Sequence, residues 1–316
     1  MSTTSSPRGT ALWQMLAAQF LIASVGIFVH EGGQDPVTTV FYRCLFGAIF
    51  LGLWGLTGGH LRGILQDRKL VLGAIASGVL LVLSWVSLFA GMARSSISVS
   101  TMMFYCYPFV MMVLATLLLG ERTRPADWGW TLLAFLGLLC SAHPQRMLSG
   151  MGAHYQAGIG LSLLAGVLCG ASLLLSRHIS KQRAIAVVFL QCCVGALMLA
   201  AFSSSTVLRP GNHWYWLVGL GVIHSGLAYV LSYSAYRHLA VATIAVLSFG
   251  YPLLALLLDY LVYGQRLALV QLAGLGLIVL GSLGVSLKWA PARSGAERSV
   301  PQPPPHACMP DRDPRR

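Results

Sequence analysis

Tyr105-Cys106-Tyr107-Pro108 and Phe249-Gly250-Tyr251-Pro252 lie 144 residues apart, each deep inside a long apolar run. A proline there removes a backbone donor and disturbs the turn before it, so two at matching places imply a shared design. The same offset brings Gly120-Glu121-Arg122 onto Gly264-Gln265-Arg266 and Gly137 onto Gly281. An offset of 148 brings Phe41-Tyr42-Arg43-Cys44-Leu45-Phe46-Gly47-Ala48 onto Phe189-Leu190-Gln191-Cys192-Cys193-Val194-Gly195-Ala196. One match between leucine-rich stretches carries little weight. Three in register point to an internal duplication.

The medium follows from composition. Of 316 residues only 9% are charged and 56% are hydrophobic, with a mean hydropathy of +0.71. A water-soluble globule of this size carries about 25% charged residues, so that class is excluded. Apolar runs from residue 11 to residue 287 exclude a single span. Leu253-Leu254-Ala255-Leu256-Leu257-Leu258 lacks the period-two alternation of a membrane β-barrel strand. The predicted fold class is an all-α membrane protein of ten transmembrane helices, near 11–29, 37–56, 70–92, 96–119, 126–142, 156–176, 184–203, 214–235, 240–262 and 268–287. Helices follow because backbone N–H and C=O groups in hydrocarbon have to be satisfied internally.

Each half holds five helices, and an odd number turns the second copy upside down. The expected organisation is a 1–10 cytoplasmic segment, a first repeat over 11–142, a linker over 143–155, a second repeat over 156–287 and a disordered cytoplasmic tail over 288–316. Basic residues support the inversion. With both termini inside, sixteen Lys and Arg fall on the cytoplasmic side against four outside, the bias expected of cytoplasmic loops. A multi-pass protein of the inner (plasma) membrane is expected, as a monomer or weak homodimer. The net charge of +12 is spread between spans rather than gathered in a patch, so no nucleic-acid partner is expected. Seven cysteines form no C-x-x-C pair, and no metal site or cofactor is expected.

Ten helices in two five-helix repeats, Pro108 followed by Gly120-Glu121 and then a glycine-bearing span, and Pro36 ahead of Arg43 resemble the EamA-type proteins of the drug/metabolite transporter superfamily. The resemblance covers about residues 11–287. It implies export of small metabolites such as amino acids, through a central cavity built largely from helices 1, 3, 4, 6, 8 and 9. One departure is that Glu121 has Gln265 as its counterpart, which counts against a role needing two symmetric carboxylates.

Inverted repeats place a site near the midplane and support alternating access. Pro108 and Pro252 then read as flexible points that free carbonyls toward a cavity, or as static kinks. Arg43 sits about seven residues, roughly 10 Å, inside helix 2; it reads as a substrate-carboxylate or gating residue, or as a snorkelling side chain. Asp259 reads as a proton-coupling group or as an interfacial acid. Gln19, Trp85, Tyr107, His224, Tyr229 and Tyr251 supply aromatic surface and hydrogen-bonding tips for a small-molecule substrate. On a continuous helix Tyr105 and Tyr107 point about 200° apart, so both are not expected to face one cavity. Gly166-x-x-x-Gly170 is expected to pack within the chain. No catalytic motif is present. The expected function is a secondary transporter exporting small metabolites. Import or exchange of sugar- or nucleotide-linked solutes is the alternative. An intramembrane lipid-modifying enzyme, hinted at only by His30, Glu31 and Asp35, is the alternative of another class.

Overall fold

The computed structural model describes residues 7–95, 97–141, 152–180, 183–203, 214–263 and 268–289, and every regular element among them is helical. Gln265, most of the 143–155 linker and nearly all of the tail lie outside the described residues. Among those described, eight helical stretches are long and apolar enough to cross a membrane: Pro7–Gly32, Pro36–Thr57, Arg68–Arg94, Val99–Leu119, Ala153–Ser180, Ala184–Phe202, Trp214–Tyr236 and Leu269–Ser286. Pro125–Cys140 and Val241–Leu254 are shorter apolar helices. Large apolar side chains such as Leu53, Leu117, Leu197 and Leu269 face outward, as lipid allows and water would not.

Local chemistry sets the helix ends. The helix α3 (Pro36–Thr57) begins on an Asp35 cap, whose carboxylate accepts from the N–H groups of Val37 and Thr38 at 3.0 Å each. Burial opposes charge on Asp35, but hydrogen bonds from Thr38 and Val37 outweigh it and hold the carboxyl below its ordinary range. Asp67 caps α4 (Arg68–Arg94) through the N–H of Leu70 at 3.1 Å.

Four runs expected to be continuous helices are interrupted. The first splits into α1 (Pro7–Ala23) and α2 (Val25–Gly32), where the Ser24 hydroxyl donates back to the Leu21 carbonyl at 2.9 Å, a bond that bends helices. The fourth splits into α5 (Ile97–Phe104) and α6 (Tyr107–Leu119). Pro108 stands in the first turn of α6, where a missing N–H costs nothing. After α7 (Pro125–Ser141), α8 (Ala153–Ser180) and α9 (Ala184–Leu199), the eighth run comprises α10 (Trp214–Gly219), a π-helix (Leu220–Leu227) and α11 (Ala228–Tyr236). The ninth splits into α12 (Val241–Leu247) and α13 (Gly250–Tyr263), with Pro252 again near the start of its second piece, and α14 (Leu269–Ser286) is the last helix among the described residues. Both prolines therefore open new helices rather than kink old ones.

The packing joins α4 to α8 and α1 to α11, α3 to α9 and to the π-helix, α4 to α9, and α7 to α14. The broken segments lie inside the bundle: α5 and α6 rest on α8, α12 and α13 on α1, and α12 on α6. At the Gly166-x-x-x-Gly170 face of α8, a Cβ on Gly170 would stand 2.8 Å from the Tyr107 carbonyl. That face is spent within the chain, against α6.

Arg177, near the end of α8, ties three segments together. It pairs with the Glu121 carboxylate beyond α6, donates from Nε to the Tyr236 carbonyl at 3.3 Å and from Nη2 to the Leu239 carbonyl at 3.2 Å. A guanidinium suits these unpaired helix-end carbonyls. Arg177→Ala is expected to lower stability by about 1–3 kcal/mol and Glu121→Ala by less, because only the arginine also serves the two carbonyls. Urea or thermal unfolding of both variants and their double mutant measures this, and equal losses would show that the carbonyl contacts contribute nothing.

Candidate functional site

The breaks in the helices surround a cavity of about 320 Å³. Gln19 and Ile22 of α1, Val25, Gly26, Val29 and His30 of α2, Arg43 of α3, Trp85, Leu88, Phe89 and Met92 of α4 and Cys169 and Leu173 of α8 form part of its wall. Tyr229, Ser232 and Tyr236 of α11, Thr101 and Phe104 of α5, and Tyr105, Tyr107, Ser248 and Tyr251 from the two proline breaks form the rest. At one end it reaches His30, whose side chain is 76% exposed. It also reaches Leu173 and Tyr236, and Arg177 lies one helical turn beyond Leu173 on α8. The volume falls in the range of small-molecule sites, about 300–1,000 Å³.

Gln19, Arg43, Trp85, Tyr107, Tyr229 and Tyr251 thus line one cavity. Tyr105 joins them, which corrects the expectation that Tyr105 and Tyr107 diverge. The helix ends between them, and their rings lie 5.4 Å apart. Tyr105 also stacks on Tyr251 at 6.1 Å and donates its hydroxyl to the Ser248 carbonyl at 3.4 Å. That carbonyl lies four residues before Pro252, so a tyrosine from one break serves a backbone group released at the other.

Arg43 does not snorkel to an interface. Its side chain is 5% exposed, its Nε donates to the Ser225 hydroxyl at 2.7 Å, and its guanidinium lies over the Trp85 ring at 4.0 Å. Tyr229 stands edge-on to Trp85 at 5.8 Å and 5.9 Å from the guanidinium. A desolvated cation over aromatic faces gains about 2 kcal/mol, far less than an ion loses on leaving water. No ion pair among the described residues includes Arg43.

The π-helix explains how one segment serves two neighbours. Its wider turn carries Ser225 toward Arg43 and His224 toward the break after α1, where His224 Nε2 lies 2.9 Å from the Ser24 hydroxyl. π-Turns of this kind recur at functional sites. His224 is fully buried, packs edge-on to Phe28 at 4.7 Å and stands outside the cavity wall; the structure places it as a support for the break. Pro108 and Pro252 are buried behind the wall they shape. Asp259 belongs to α13, but its side chain lies outside what is described. Asp35 is committed to its helix cap, so it does not converge with His30 and Glu31, which pair at 3.3 Å.

Several hydroxyls that the sequence reading passed over complete the picture. Gln191 donates to the hydroxyls of Ser77 and Ser176 at 2.8 Å each, and accepts from the Tyr233 hydroxyl at 3.1 Å. The signal was present in the repeat. The 148-residue offset that pairs Arg43 with Gln191 also pairs Ser77-Gly78 with Ser225-Gly226 and Ser84-Trp85 with Ser232-Tyr233. Arg43 on Ser225 and Trp85 therefore corresponds to Gln191 on Ser77 and Tyr233.

A polytopic helical bundle broken around a cavity lined by polar and aromatic groups defines a membrane transporter with a small-molecule substrate. The chain belongs to the EamA-like transporter family, whose profile matches residues 9–142 and 156–287. It is 27% identical over 285 residues to an uncharacterized transporter of Bacillus subtilis (strain 168), covering 89% of this chain and 90% of that one. It is also 27% identical over 180 residues to the threonine/homoserine exporter of Escherichia coli (strain K12), covering 55% and 59% of the two chains. A protein of known crystal structure shares the fold with a TM-score of 0.76 at 21% identity, over 88% of this chain and 96% of the other.

The Gln191 network makes a stability test separable from transport. Tyr233→Phe leaves a buried amide oxygen without its donor and is expected to lower stability by about 1–3 kcal/mol. Tyr233 is not part of the cavity wall, so affinity for a bound solute should stay unchanged in the same thermal-shift titrations. A loss of affinity with no loss of stability would contradict this assignment.

Proposed function

We propose that the protein is a secondary transporter of the inner (plasma) membrane that exports small metabolites, amino acids among the candidates, by alternating access between two inverted five-helix repeats over 11–142 and 156–287. The single observation that carries the reading is the cavity, lined by polar and aromatic side chains from the helix end at His30 to Leu173 and Tyr236.

Reciprocal contacts support the two-fold arrangement. A Cβ on Gly47 would meet the Cys192 sulfur at 3.0 Å, and one on Gly195 would meet the Cys44 sulfur at 2.5 Å. A Cβ on Gly137 would meet the Gly274 carbonyl at 2.5 Å, and one on Gly281 the Trp130 carbonyl at 2.6 Å. Residue i touching the mate of j while j touches the mate of i is what a two-fold relation imposes. The helix pairs recur in the same way: α4 with α8 answers α1 with α11, and α4 with α9 answers the π-helix with α3. An exporter among the relatives favours outward movement, and the bias of basic residues favours both termini in the cytoplasm.

In this reading Gln19, Arg43, Trp85, Tyr107, Tyr229 and Tyr251 contact the solute, and the closed end is held by Arg177 and Glu121. The proline breaks are the flexing points, since hinges form where a few residues absorb a change in backbone angles. Vesicles reconstituted with the protein are expected to show saturable flux and counter-flow of an amino acid from a standard panel. Flux that rises linearly with concentration for every member would refute a carrier. Pro108→Ala and Pro252→Ala return an N–H able to bond the Phe104 or Ser248 carbonyl and make the helix continuous. Both should reduce the saturable rate more than the folded yield, whereas equal losses would mark static structure.

A further inference from the structure

We infer that the cavity takes net-anionic solutes carrying a single carboxylate on an aromatic or aliphatic body, and that it does not require an ammonium group. The inference rests on the carrier reading above and deepens it by assigning the charge of the solute.

The cavity holds an unbalanced charge. The cationic guanidinium of Arg43 lines it, and among the described residues no carboxylate lies within ion-pair distance of Arg43. No Asp or Glu stands among the described residues lining the cavity either. The protein attends to Arg43 with one hydroxyl, Ser225, and with the π-face of Trp85. A buried cation is costly unless paired, and the guanidinium fork matches a carboxylate in a two-point hydrogen bond.

The equivalent place in the other half shows that a cation is not needed to hold the fold. Gln191 occupies it with its amide engaged by Ser77, Ser176 and Tyr233. The charge is thus specific to the copy whose side chain reaches the cavity. A monoanion brings the site to neutrality, whereas a zwitterion leaves the whole positive charge in place and adds an ammonium beside it. A dianionic phosphate would meet only one arginine. The remaining wall is aromatic and aliphatic: Leu88, Phe89, Phe104, Tyr105 and Tyr251 offer surface for a hydrocarbon body.

Four probes of one shape separate the two charges: 3-phenylpropionate, phenylalanine, phenylalanine amide and 3-phenylpropionamide. Binding is read by thermal shift of the full-length purified protein, since a ligand that binds the folded state raises apparent stability. The expected result is that both carboxylates bind, 3-phenylpropionate at least as tightly as phenylalanine. Both amides should be about 10- to 100-fold weaker, the worth of hydrogen bonds to a charged group. In Arg43→Gln, which installs the residue of the equivalent position, the difference between acid and amide should vanish; Arg43→Lys should keep most of it. Phenylalanine binding without 3-phenylpropionate would overturn the inference, as would amides binding like acids or no binding by any of the four. If Arg43→Gln does not fold, the four probes on the native chain and on Arg43→Lys decide alone. Saturable flux of some other solute with no preference for a carboxylate would overturn this inference and leave the carrier intact. Loss of saturable flux for every solute would overturn the carrier reading itself.

Discussion

Backbone groups opened inside hydrocarbon have to be closed by the protein, because the lipid offers no partner. That constraint decides where this bundle can break. At the α5–α6 and α12–α13 breaks the prolines remove donors, and the lost bonds are absorbed by new helix starts and by Tyr105 on the Ser248 carbonyl. At the α1–α2 break the Ser24 hydroxyl, backed by His224, does the same. Irregular backbone survives in a membrane only where it is packed in protein or lines a cavity, and the breaks here border one cavity.

The second organising feature is a duplicated polar position filled in two ways. Gln191 closes a neutral network in which its amide donates twice and accepts once. Such a network is at low cost in a low-dielectric interior because each polar group has its partner. Arg43, at the matching place, carries a charge that its neighbours only partly compensate. Of the two positions that the 148-residue offset pairs, one is charged and lines the cavity while the other is neutral and closed by its neighbours.

Arg177 gathers Glu121, Tyr236 and Leu239 from segments that otherwise end separately. An equilibrium between two packings shifts only by the difference in their interactions. A charge-assisted cluster of this kind therefore favours the packing in which these segments are held together.

Much of this was legible in the residues. Composition dictated a membrane, the solvent dictated helices, and the 144- and 148-residue offsets paired the prolines, the glycines and Arg43 with Gln191. Gln19, Arg43, Trp85, Tyr107, Tyr229 and Tyr251 were recognisable because polar or aromatic tips in hydrocarbon demand partners. Where the helices stop was not legible, since a proline permits either a kink or a new start, and the choice depends on what neighbouring segments can bond. Nor was the company of Arg43: whether a long cation reaches an interface or turns inward depends on Ser225 and Trp85, brought beside it from residues 182 and 42 positions away. The chain by itself determined a helical, lipid-embedded protein with an internal sequence repeat, because the medium acts on each segment alone and the repeat is written in the residues. Only tertiary packing decided which of its polar groups share a cavity and which are silenced by partners, because that balance is set by contacts between segments distant in sequence.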